Sequence, residues 1–210
     1  MRSSLRQMKR TTETRPWRAG WLRWARACPS PNCNARPASA QVDLIVIHSI
    51  SLPPGEYGGG DVAALFLNQL DCNAHPYYAG LRGLRVSSHF FITREGVAWQ
   101  FVGIHQRAWH AGVSHYRGRA RCNDDSVGIE LEGLEGLPFE TAQYETLERL
   151  CDALRAHLPI RYVAGHEHIA PGRKADPGGA FNWRRLSIHL AGSGIILPPT
   201  ASPCAEAARP

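Results

Sequence analysis

The sequence predicts an α/β fold of the α+β kind, a mixed β-sheet with helices packed on it. Two observations carry that expectation. Short β-branched runs intermingle with stretches of helical periodicity in the order β, α, β, β, β, α, β, α, which is too irregular for a strictly doubly wound sheet. At 210 residues and 43% hydrophobic content, the chain can bury one substantial core and has no run of apolar residues long enough to span a membrane.

Residues 42–48 (VDLIVIH) form a β-branched run that reads as a buried strand ending on a histidine. The Pro/Gly-rich stretch 53–60 is a loop, after which Asp61 can cap a short helix over 62–70. Residues 71–88 look irregular, whereas 89–93 and 97–102 are strand-like and separated by Arg94, Glu95 and Gly96, a spacing that suits a hairpin. A second loop, 103–125, leads to SVGIELE at 126–132, where Val127, Ile129 and Leu131 alternate with Gly128, Glu130 and Glu132, making a strand with a carboxylate face. The clearest helix runs from its cap Thr141 to His157, with Tyr144, Leu147, Leu150, Cys151, Leu154 and Leu158 at three- and four-residue steps and Pro159 ending it. A strand at 160–164, a loop at 165–180 and a short helix at 182–190 complete a domain expected over 17–190, flanked by a disordered basic extension (1–16) and a loose Pro/Ala-rich tail (191–210).

The formal charge of +6 and pI near 9.2 raise the question of nucleic acid, but the excess is local. Residues 1–26 hold eight basic residues and one acid, Glu13, so the folded part is near neutral and neither nucleic acid nor stable membrane association is expected. Arg18, Arg23 and Arg26 interrupt the apolar residues of the N-terminus, which argues against a secretory signal. Six cysteines without a CxxC pair suit free thiols in a reducing compartment, and a cytoplasmic monomer is the expectation.

Chemistry concentrates at 165–178 (GHEHIAPGRKADPG), where His166, His168, Arg173, Lys174 and Asp176 share a loop braced by Pro171 and Pro177. A catalytic zinc takes three protein ligands and keeps a fourth position open. One histidine and the aspartate of this loop leave one ligand to find, and His48, on a rigid strand, can supply it. The residues by themselves leave a charged surface turn as the alternative.

Several long strings occur in a recognisable order: GWLRWARACPSPNCNARP (20–37), VIHSISLPPGEYGG (46–59), AHPYY (74–78), LRVSSHFFI (84–92), RAWHAGVSHYRGRARCND (107–124), SVGIELEG (126–133) and GHEHIAPGRKADPG (165–178). Through them the chain resembles the cytoplasmic 1,6-anhydro-N-acetylmuramyl-L-alanine amidases of AmpD type, within the wider amidase and peptidoglycan-recognition family. The resemblance implies that fold, zinc as cofactor and an anhydromuramyl peptide as substrate. It implies His48, His166 and Asp176 as metal ligands and excludes His168; secreted relatives often carry cysteine in place of the aspartate. Glu130 matches the catalytic glutamate that takes a proton from water and returns it to the leaving amine, and Lys174 matches the lysine that stabilises the oxyanion. Tyr77, Arg85, Trp109, His110 and Arg173 are the implied contacts to the muramyl sugar and peptide carboxylates, for which flat aromatic area and the guanidinium fork are suited. Ser49 departs from the asparagine of relatives. A peptidoglycan-binding protein without catalysis, or an amidase acting on intact wall, are the rival readings; the first is disfavoured because every ligand position is filled, and the second by the missing signal and the aspartate ligand.

Overall fold

The computed structural model describes residues 16–199. The basic extension therefore lies, except for Pro16, outside the described residues, as does the tail from 200 onward. Strands β1 (Trp17–Arg18) and β2 (Trp21–Leu22) make a small hairpin through Ala19 and Gly20, both at positive φ. The chain then adds β3 (Arg26–Ala27) to the edge of the main sheet and forms β4 (Cys33–Ala35) before the first long strand.

That strand, β5 (Leu44–Ile50), begins two residues later than the apolar run and continues two residues beyond His48. The histidine thus sits inside a strand rather than at its end, because the ladder to the neighbouring strand runs unbroken through Ile50. Helix α1 (Asp61–Phe66) is shorter than expected. Gly60, not Asp61, is its N-cap, and the Asp61 carboxylate instead accepts a hydrogen bond from the Tyr78 hydroxyl at 2.6 Å. The stretch expected to be irregular contains a 3-10 turn, Pro76–Leu81, favoured by proline in its first turn.

The hairpin forms as β6 (Phe90–Ile92) and β7 (Ala98–Gln100), closed by Gly96 at φ 80°. The expected loop 103–125 holds three short strands: β8 (Gln106–Ala108), which pairs with β4, and β9 (His115–Tyr116) with β10 (Arg119–Ala120). Strand β11 (Ser126–Glu132) alternates as expected but is buried on both faces, so its carboxylate face is not solvated. Glu132 is satisfied inside the protein by the backbone N–H groups of Gly58 and Arg94, at 2.6 and 2.9 Å.

Helix α2 (Thr141–Arg155) starts one residue earlier than expected, with Glu140 rather than Thr141 as its N-cap. Gln143 accepts from the Glu140 N–H and donates to the carbonyls of Ile92 and Glu132, fixing the helix to the ends of β6 and β11. Strand β12 (Tyr162–Gly165) leads directly into a single helical turn, α3 (His166–Ile169), where a loop was expected; α4 (Trp183–His189) follows, capped by the Asn182 side chain.

The main sheet has the order β12–β5–β11–β6–β7–β3 and is mixed, as expected: β12, β5, β11 and β6 run parallel, and β7 is antiparallel to β6. One face presents Ile45, Ile47, Val127, Ile129 and Leu131 to Leu147, Leu150 and Leu154 of α2, a core in which each buried leucine contributes about 1.5–3 kcal/mol. The opposite face carries Leu44, Val46, His48, Gly128 and Glu130 and is covered by segments 103–125 and 166–176. Beyond the expected domain end at 190 the chain is not loose throughout: Ile196 bridges to Tyr162, exchanging hydrogen bonds with Arg161 and Val163. Among the described residues no helix is long and apolar enough to cross a membrane.

Candidate metal centre

His48 and Glu130 are register partners on adjacent parallel strands, so their side chains leave the same face of the sheet. The last ladder pair between β12 and β5 is Gly165 with Ile47, which brings the next residue, His166, to the level of His48. Asp176 returns from the following loop, its carbonyl accepting from the Glu167 N–H at 2.9 Å. The three side chains converge: His48 Nδ1 lies 3.0 Å from His166 Nδ1, and each is 3.1 Å from Asp176 Oδ2.

Ligands about 2.0–2.1 Å from a tetrahedral zinc are separated by about 3.3 Å, close to these spacings. Two imidazole nitrogens and one carboxylate oxygen are also a donor set that zinc accepts, and three protein ligands leave one position free. All three residues are buried. Burial lowers the His48 imidazole to about 4 despite its contact with Asp176, leaving a neutral ring able to donate a lone pair. Burial would raise the Asp176 carboxyl, but the two imidazoles against it hold it below the usual range, so it is an anion. His168, excluded by the resemblance, points elsewhere: its Nδ1 accepts from the Gly165 N–H at 3.0 Å and its ring packs edge-on to Trp183.

The centre opens into a cleft of about 250 Å³ lined by Ser49, Tyr77, Trp109, Glu130 and Lys174 as well as the ligands. Glu130 is buried, and its Oε2 has no hydrogen-bond partner within the protein. Burial, then the neighbouring Asp176 charge, raises this carboxyl well above the usual range, with Lys174 opposing. Lys174 is exposed at the cleft.

Of the residues implied for substrate, Tyr77, Trp109 and His110 reach the cleft. Trp109 is fixed there by a bond from its indole N–H to Asn34 at 2.7 Å. His110 has both ring nitrogens occupied within the protein, by His48 at 2.9 Å and Ser126 at 3.2 Å, so it stands behind a metal ligand. Arg85 is exposed on an adjoining depression with Leu65, Leu81 and Leu84 rather than in the cleft. Arg173 is turned to the backbone, donating to the carbonyls of Ala111 and Val113 at 2.8 and 2.6 Å. Sequence reasoning does not single out Asn34, Arg36, Asn123 and Ser126, which support the cleft. All four lie within the matching strings, but asparagine and serine carry no charge that would mark them, and Arg36 is one of many arginines near the N-terminus.

A three-ligand zinc centre at one face of a mixed sheet, opening into a cleft with a buried glutamate, defines a zinc hydrolase. Residues 38–179 match the N-acetylmuramoyl-L-alanine amidase family, and the chain belongs to it. The 1,6-anhydro-N-acetylmuramyl-L-alanine amidase AmpD of Citrobacter freundii is 51% identical over 169 residues, 80% of this chain and 90% of the relative. A crystal structure of a selenomethionine AmpD derivative superposes with a TM-score of 0.79 at 49% identity, over 82% of this chain and 97% of that one. The Escherichia coli amidase AmiD, solved with the substrate anhydro-N-acetylmuramic acid-L-Ala-D-γ-Glu-L-Lys, gives a TM-score of 0.53 at 31% identity, over 73% of this chain and 60% of that one.

Proposed function

We propose that the protein hydrolyses the amide between the lactyl group of 1,6-anhydro-N-acetylmuramic acid and L-alanine in peptidoglycan fragments, releasing the peptide for cell-wall recycling. The observation that carries this reading is the convergence of His48, His166 and Asp176 in the cleft that Glu130 and Lys174 also line. The AmpD and AmiD relatives act on, or were solved with, substrates of this kind.

Bound by the three ligands, zinc supplies Lewis acidity that makes hydroxide available near neutral pH. Glu130 takes the proton of the attacking water; its Oε2, free of any partner within the protein, is available to accept it. The same carboxyl then returns the proton to the departing alanine amine. The Lys174 ammonium stabilises the negative charge that develops on the amide oxygen. Tyr77 and Trp109 offer flat apolar area to the sugar. Arg85, on the adjoining depression, suits a carboxylate of the peptide stem, whereas Arg173 acts through the loop it holds. We read the protein as a monomer acting in the cytoplasm, in keeping with the five described cysteines, all free thiols.

The test is mass analysis of products after an anhydromuramyl tripeptide is incubated with zinc-loaded protein. A free peptide beginning with alanine, together with the intact anhydro-sugar, is the expected result. No cleavage, or cleavage at another bond, would overturn the assignment.

A further inference from the structure

Both metal-ligating histidines use Nδ1 toward the centre, and their Nε2 atoms face the short segment His110–Ala111. Arg173 Nη2 also stands 3.5 Å from His166 Nε2 but donates at shorter range to the Ala111 and Val113 carbonyls, at 2.8 and 2.6 Å. For His166 the partner is the Ala111 carbonyl at 3.2 Å, which can only accept. His166 Nε2 therefore carries the proton and its Nδ1 holds the lone pair.

For His48 the same conclusion follows through a relay. The Cys122 carbonyl can only accept, so the Ser126 hydroxyl, 2.5 Å away, donates to it. Ser126 Oγ then accepts from His110 Nε2–H at 3.2 Å, leaving His110 Nδ1 as an acceptor for His48 Nε2–H at 2.9 Å. Every hydrogen in this chain is directed by a carbonyl at its far end.

The segment itself is pinned by one atom: Asn123 Oδ1 accepts the backbone N–H groups of both His110 and Ala111, at 3.1 and 2.8 Å. Arg36 in turn fixes the 122–126 turn by donating to the carbonyls of Asn123, Asp124 and Ser126. The His110 ring lies against β11 where only Gly128 leaves room, since a Cβ there would come within 2.5 Å of it.

We propose that His110 and Asn123 are positioning residues for the metal: the His110–Ala111 segment sets the tautomer and orientation of both ligand histidines and thereby the affinity for zinc. The proposal rests on the zinc centre but not on the amidase reading, and its test uses no substrate. Outer partners of this kind typically alter metal affinity about 10- to 100-fold.

The experiment has two arms. In zinc-loaded protein with 15N-labelled histidine, nuclear magnetic resonance should show Nε2–H protons on His48, His110 and His166 and a nitrogen–nitrogen coupling across the His48–His110 hydrogen bond. Chelator competition should show His110→Leu binding zinc about 10- to 100-fold more weakly, with His110→Asn, whose Oδ1 can take the accepting position, recovering several-fold. Circular dichroism and thermal melting of the metal-free variants separate this effect from misfolding. Should His110→Leu fail to fold, Ser126→Ala, which removes one oxygen, decides: the coupling should vanish and zinc binding weaken at least threefold. An Nδ1–H tautomer at His110 in the parent, zinc affinity within twofold of the parent in His110→Leu, or in Ser126→Ala where that variant decides, or no advantage of asparagine over leucine would overturn the proposal.

Discussion

Replacing His48, His166 or Asp176 with alanine is expected to abolish zinc binding and activity together, because each removes one of three converging donors. His168→Ala should retain stoichiometric zinc while losing about 1 kcal/mol of stability, the contribution of its bond to the Gly165 N–H. Metal analysis of the four purified variants checks this, and zinc retained by Asp176→Ala would contradict it. Glu130→Gln separates chemistry from metal binding: zinc should stay bound while kcat falls about 100- to 10,000-fold. The same change should stabilise the metal-free protein at neutral pH. Folding raises the Glu130 carboxyl, so the stability its neutral form contributes is complete below the unfolded value of about 4.3 and is lost as pH rises through the folded one. Melting curves of parent and variant should therefore coincide near pH 4 and separate in favour of glutamine above it.

At the scale of elements, the hairpin and α2 meet at Gly96, whose left-handed φ leaves no room for a side chain: a Cβ there would stand 2.6 Å from the Ala142 carbonyl oxygen. Gly96→Ala should cost at least about 1 kcal/mol, seen by urea denaturation, yet leave kcat and zinc content unchanged. The alternation of 126–132 is legible because a strand repeats every two residues, but the burial of its polar face is not, since segment 103–125 covers it from elsewhere in the chain. Helix starts differ by one residue from expectation at Asp61 and Thr141: both are residue types that cap helices, while Gly60 and Glu140 hold those places. The turn α3 escapes notice because Pro171 and Gly172 mark the whole segment as loop. Spacing alone leaves His166 and His168 as equal candidates; the family strings separate them. The support for Trp109 from Asn34 joins residues 75 apart, which no local pattern reveals.

Across the whole molecule, charge and chemistry are separated. The positive excess lies in the first 26 residues, whereas the cleft belongs to the near-neutral remainder. Deleting residues 1–16 should leave the rate on soluble anhydromuramyl peptide, and the preference for it over purified wall, unchanged; altered preference would give those residues a part in recognition. The bridge from Ile196 to Tyr162 has a different kind of consequence. Strand β12 is the outer member of the sheet, and the bridge occupies backbone groups that would otherwise face solvent. At the opposite margin the two-residue β3 brings Arg26, whose guanidinium lies 5.6 Å from the Trp99 ring, a charge that discourages pairing with another molecule. Cutting the chain after Ala191 would uncover β12 as a template for a neighbouring copy. Light scattering of the truncated protein should then rise with concentration while the full chain stays monodisperse. On this account the last strand-like contact among the described residues serves solubility, keeping a parallel sheet from continuing into the next molecule.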